Sequence, residues 1–155
     1  MHLDFMRVAI EAAVEGTARR DGGPFGAVIV CRGEIVSRAW NRVIRDHDPT
    51  AHAEVNAIRE ACSVLGQVHL EACELYSSCE PCPMCLSAIY WARLGRVYYA
   101  ATREDADEVG FCDAELYREL ARDPRERSIP FIKMELSSAV NVMRDWKSDP
   151  TQQLY

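Results

Sequence analysis

The chain has 155 residues, 48% of them hydrophobic and 27% charged, with a formal net charge of -6 and a pI near 5.2. That length suits one domain able to bury a core without help from disulfides or metal. The acidic balance argues against nucleic acid as a partner, because such binders gain affinity by neutralising phosphates with Lys and Arg, and no apolar run is long enough to imply a membrane role.

"HLDFMRVAIEAAVEGTARR" mixes acids with apolar residues at helical spacing and lacks the basic start and cleavage site of a secretory signal, which predicts a first amphipathic helix. "DGGPFG" is a turn. "AVIV" and "IVSRAWN", joined by "RGE", predict a β-hairpin. "RDHDPT" predicts a polar loop ending at Thr50, the expected N-cap of a helix in "AHAEVNAIREACSVLG" that stops at Gly66. "CELYSS" predicts a short strand, and "CPMCLSAIYWARLG" a helix closed by Gly95. There follow a strand "RVYYAA", a loop "DADEVG", a helix "DAELYRELAR", a strand "PFIKMEL", a last helix "SAVNVMRDWKS" and a tail "DPTQQLY". Five strands alternating with helices predict an α/β three-layer sandwich with a five-stranded sheet, in one domain over residues 1–147 with a tail over 148–155.

Seven cysteines are an odd number, scattered through apolar runs and not spaced as a disulfide framework, so a reducing, cytoplasmic compartment is expected. Three of them fall in "SSCEPCPMC". Cys82 and Cys85 form a CxxC pair at a predicted helix start, where the free N–H groups and the helix dipole favour thiolates able to share one zinc ion. His52, at the start of the other predicted helix, is the natural third ligand.

Two readings compete for the fourth position. Cys79 could close a structural Cys₃His site, or the position could take water, whose pKa zinc lowers toward neutrality. Glu54 favours the second, because it lies two residues after His52 in the same first turn, placed to move protons without being a ligand. A lone CxxC or a lone HxE would be weak. H-x-E followed by P-C-x-x-C is the signature of zinc-dependent nucleobase deaminases.

The chain resembles the bacterial guanine deaminases of the cytidine deaminase-like superfamily, through "HAE" (His52 to Glu54) and "PCPMC" (Pro81 to Cys85), and further through "GGPFGAVIV", "DPTAHAE", "AIYWAR", "YYAA", "GF" followed by Asp113, and "RSIPF". The resemblance implies a cytidine deaminase-like α/β/α fold with a mixed sheet, zinc on His52, Cys82 and Cys85, Glu54 as the proton shuttle, and Cys79 as a bystander. It also implies that Asn41 and Asp113 bind substrate. A carboxylate accepts only from donors, and guanine offers an N1–H where adenine offers a bare N1, so an acid at Asp113 favours guanine. Phe25 could stack on a flat base or simply be core. Trp91 is out of helical phase with Cys82 and is expected at a packing surface or interface, while His2, His47 and His69 are expected to be loop or surface residues.

The expected reaction is hydrolytic deamination of guanine to xanthine and ammonia. Guanosine, tRNA adenosine, cytosine or an aminotriazine remain as alternative substrates, and a zinc-stapled, non-catalytic interaction module remains as an alternative of another class. The tail ends in Leu154 and Tyr155, an apolar pair that gains nothing on a free terminus. The resemblance implies a homodimer with exchanged tails in which Tyr155 caps the partner's pocket and contacts the base.

Overall fold

The run "GAVIVC" forms β1 (Gly26–Cys31) inside the sheet, and its near-continuous apolar character matches burial on both faces. Ala27 and Ile29 enter the core on one side, Val28 and Val30 on the other, and all four are buried. The computed structural model describes residues 1–155. Arg32 and Gly33, with φ of 53° and 86°, make the two-residue loop into β2 (Glu34–Trp40), the left-handed pair that suits the twist of antiparallel strands. β3 (Cys73–Cys79) pairs antiparallel with the other edge of β1, and β4 (Arg96–Ala101) pairs parallel with β3. No tight turn can join parallel neighbours, and α4 (Pro83–Trp91) supplies the crossover.

Helices cover both faces of the sheet. On one, α1 (His2–Arg19) packs Phe5, Met6, Val8 and Ala9 over Val28, Val30 and Tyr76. Its backbone lies so close to β1 that a Cβ on Gly26 would sit 2.1 Å from the Ala9 carbonyl oxygen. His2 is not idle at its start, since its Nδ1 lies 2.6 Å from the Tyr76 hydroxyl. On the other face α3 (Ala53–Leu65) presents Ala53, Ala57 and Ala61, all fully buried at one-turn spacing, and Leu75, Ile89 and Ala92 complete that core. Small side chains let the helix approach the strands closely.

The sheet has four strands in the order β2-β1-β3-β4, not the five expected, although it is mixed as expected. The missing one is "PFIKMEL". Residues 130–136 make no ladder, and Phe131, Ile132, Met134 and Leu136 are exposed. A strand is defined by a neighbour that takes its N–H and C=O groups, and an apolar alternating run names no neighbour. Two short helices also occupy expected loops, α2 (Val43–Asp46) and α5 (Arg103–Glu108). The second carries a capping box, with the Thr102 side chain accepting from the Asp105 N–H and the Asp105 carboxylate accepting from the Thr102 N–H. The N-cap of α3 is His52 and not Thr50, whose hydroxyl donates instead to Asp48 at 2.7 Å.

By packing, the chain divides into two compact units, Met1–Ala114 and Glu115–Tyr155. The first holds the whole sheet. The second is built on α6 (Ala114–Ala121) and α7 (Ser137–Ser148), and in it Glu119 accepts from the Ser128 N–H at 2.8 Å. Val142 and Met143 of α7 are exposed, as are Leu154 and Tyr155. No helix is long and apolar enough to cross a membrane.

Candidate active site

His52 and Cys82 are both N-cap residues in extended conformation, so each motif delivers its first donor where a helix begins. Pro83 at the first position of α4 fixes that start without losing a needed N–H. Cys85 follows within the first turn, as Glu54 does in α3. The two helix N-termini converge. His52 Nδ1 lies 3.6 Å from Cys82 Sγ and 3.5 Å from Cys85 Sγ, and the three donor atoms lie within 4.8 Å of one another.

A tetrahedral zinc with Zn–S near 2.3 Å and Zn–N near 2.05 Å has S···N edges of about 3.6 Å. The observed separations match that edge, so the three residues fit zinc as they stand. Electrostatics agree. The Cys85 S–H, helped by the His52 ring and opposed by burial, pulls the Cys82 thiol down to about 4. The same contact with Cys82, together with burial, pushes Cys85 well above the ordinary thiol range, and the Cys82 thiolate raises His52. Of the two thiols, Cys82 is therefore the one that ionises readily.

A proton count follows for zinc binding at neutral pH. Cys85 releases one proton, His52 a second to the extent that its ring is charged, and Cys82 none, because its pKa of about 4 leaves it already ionised. Calorimetry in buffers of different ionisation enthalpy measures this number, and a third proton would mean that Cys82 is not the low-pKa thiol. Cys82→Ser and Cys85→Ser are expected to lose the metal, and Cys79→Ser to keep it. Cys79 stands outside the donor cluster and directs its thiol to the Thr102 carbonyl at 3.4 Å.

Glu54 is buried beside the cluster without belonging to it. Burial raises its pKa, and its two oxygens accept from Ser77 Oγ at 3.3 Å and from the Cys85 thiol at 3.4 Å. A recess opens above these groups, lined by Phe25, Asn41, His52, Glu54, Cys82 and Asp113. The first unit thus brings together every expected site residue except Tyr155, which belongs to the second. A larger apolar groove, of about 610 Å³, lies against α1 and α5 and shares only Phe25, Cys79 and Ala106 with the recess. The metal-donor cluster and Glu54 open into the smaller cavity and not into the larger one.

Asn41 is held by its own oxygen. Oδ1 accepts from the Gly23 and Val43 N–H groups, both at 3.2 Å, which leaves the amide nitrogen as the group available to a ligand. Gly22 is required for this, since a Cβ there would lie 2.1 Å from Asn41 Oδ1. What the Asn41 side chain can still offer a ligand is therefore a donor. Asp113 is half-buried, and burial, reinforced by the Cys82 charge, raises its pKa. Phe25 takes the edge of Phe111 at 4.9 Å and 83°. Phe111, Glu80 and Ser77 were not singled out from sequence. All three lay inside stretches already noted, Phe111 in "GF" and Ser77 and Glu80 in "SSCEPCPMC", but nothing in those stretches said that they would face the site.

Residues 1–101 match the family described as the cytidine and deoxycytidylate deaminase zinc-binding region. The chain belongs to that family. Among the members it is similar to is the guanine deaminase of Bacillus subtilis (strain 168), 48% identical over 154 residues and 99% of both chains. The tRNA-specific adenosine deaminase of Agrobacterium fabrum is 45% identical over 97 residues, 63% of each chain. The X-ray structure of the Bacillus subtilis guanine deaminase superposes with a TM-score of 0.97 over 100% of this chain and 99% of that one, at 48% identity. A guanine deaminase structure from Nitrosomonas europaea gives a TM-score of 0.66 at 30% identity, over 71% of this chain and 64% of that one. Within this zinc-binding deaminase family, the His52, Cys82 and Cys85 cluster is the part of the chain that could hold the metal.

Proposed function

We propose that the protein deaminates guanine to xanthine, releasing ammonia, with one zinc ion on His52, Cys82 and Cys85. The observation that carries this reading is the extent of the likeness. Similarity to a guanine deaminase runs over 99% of the chain, whereas similarity to a tRNA-specific adenosine deaminase covers 63%. The acidic net charge of -6 also suits a small base better than a polyanion.

A zinc ion held by His52, Cys82 and Cys85 would supply an activated water for attack on the amino-bearing ring carbon. The chain's own residues do the rest. Glu54, whose pKa is raised by burial, takes a proton from the attacking water and delivers it to the ring and to the departing amine. Asn41 donates its amide N–H to an acceptor of the base. Asp113 accepts from the guanine N1–H, and Phe25 presents its ring to the flat purine. With adenine the Asp113 carboxylate would be buried against a bare nitrogen and left unpaired, a mismatch that sites of this kind reject strongly.

The same reading makes the protein a cytoplasmic homodimer with exchanged C-terminal tails. All seven cysteines are free thiols, as a reducing compartment requires. The apolar residues of the second unit, including Phe131, Ile132, Met134 and Leu136 of the unpaired run, are exposed in the single chain and gain a partner in a two-fold exchange. In that arrangement the partner's Tyr155 closes the recess.

Ammonia release from guanine, guanosine, cytosine and adenine tests the substrate. Guanine is expected to lead by a wide margin, and Asp113→Asn to lower kcat/KM on guanine by on the order of 10²-fold or more with the fold intact. Preferred turnover of adenosine in a tRNA hairpin, with weak action on free guanine, overturns the assignment.

A further inference from the structure

Along β3 the side chains facing α3 and α4 are Cys73, Leu75, Ser77 and Cys79, all buried. Ser77 is the one hydroxyl in that row, and only 1% of it is exposed. A buried hydroxyl is unfavourable unless bonded, and an alanine or valine would fill the place without that penalty. Its Oγ donates to Glu54 Oε1 at 3.3 Å, between two side chains buried on different elements.

We propose that Ser77 is a positioning residue for the reaction, anchoring Oε1 of Glu54 so that Oε2 is the oxygen presented to the site. The two oxygens of the carboxylate have different partners. Oε2 lies toward the donor cluster, 3.4 Å from the Cys85 sulfur, whereas Oε1 is held from β3 by Ser77, which stands outside that cluster. Ser77 thus fixes the carboxylate at one oxygen and leaves the other on the side of the donors. Without it Glu54 loses its aim, and small misplacements of a catalytic group are costly.

This inference rests on the deaminase reading above, and its test is arranged to stand apart from it. In the metal-free protein, urea unfolding is compared for Ser77→Ala, Glu54→Met and the double variant. If the bond exists, Ser77→Ala lowers the midpoint when Glu54 is present and leaves it unchanged or higher in the Glu54→Met background. Equal losses in both backgrounds overturn the proposal, whatever the substrate proves to be.

In the zinc-loaded protein, Ser77→Ala is expected to keep the metal in chelator competition and to leave KM for guanine within about twofold, while kcat falls about 30-fold, inside the range for a misdirected catalytic group. Ser77→Thr, which retains the hydroxyl, is expected to recover most of that loss. A KM effect with unchanged kcat, or a Thr variant as impaired as Ala, means that Ser77 merely packs.

Discussion

Glu54→Gln is expected to retain about one zinc per chain and to lose deamination by about 10³-fold or more, since general acid and base work alone contributes about 10² to 10⁴. Gln is nearly isosteric, its carbonyl oxygen can still accept from Ser77 and its amide NH2 can donate toward the Cys85 sulfur, so the buried site has no reason to collapse. It cannot take a proton from water and return it. Metal analysis and a guanine assay on the same preparation separate the two effects. Loss of zinc from this variant would make Glu54 a ligand and reverse the roles assigned here. Nothing in the donor geometry asks for that, because the His52 nitrogen and the two sulfurs already fit the edges of a zinc tetrahedron.

The second large effect is expected from the tail. Deleting residues 148–155 should leave zinc in place, because His52, Cys82 and Cys85 all lie in the first unit, while kcat/KM for guanine falls by on the order of 10²-fold for want of a cap that excludes water. Mixing supplies the sharper measurement. Truncated chains and full-length Glu54→Gln chains are each expected to be strongly impaired alone; if tails are exchanged, co-expression would give dimers in which the intact tail of the dead subunit closes the live site of the shortened one. Restored activity supports the exchange of tails. Persistent inactivity, with both proteins folded and zinc-loaded, means that each tail serves its own chain, and the exchanged arrangement is then given up.

Much of the site was legible in the sequence because its chemistry is written at short range. HxE and CxxC each fit inside one helical turn, and a helix start offers the same N–H groups and dipole wherever it occurs, so the donors could be named before the two motifs were known to meet. The hairpin was equally local, since Arg32 and Gly33 carry the turn that a two-residue loop needs. Asn41 was legible as a residue, but which end of its amide is left free was not. Which end of its amide serves a ligand depends on the N–H groups of Gly23 and Val43, and Gly23 comes from a different loop.

By itself the sequence pointed to the family and to His52, Cys82, Cys85 and Glu54 as one candidate site, through spacings that the backbone of a single helix turn enforces. Tertiary structure decided the rest. "PFIKMEL" has the composition of a strand but forms none, because pairing requires a second backbone at its edge, and the sheet closes at four strands without it. Ser77 is an ordinary serine until the fold sets it 3.3 Å from a buried carboxylate 23 residues away. A hydrogen bond between distant segments carries no sequence signal at either end, and only the packing of α3 on the sheet brings that hydroxyl to Glu54.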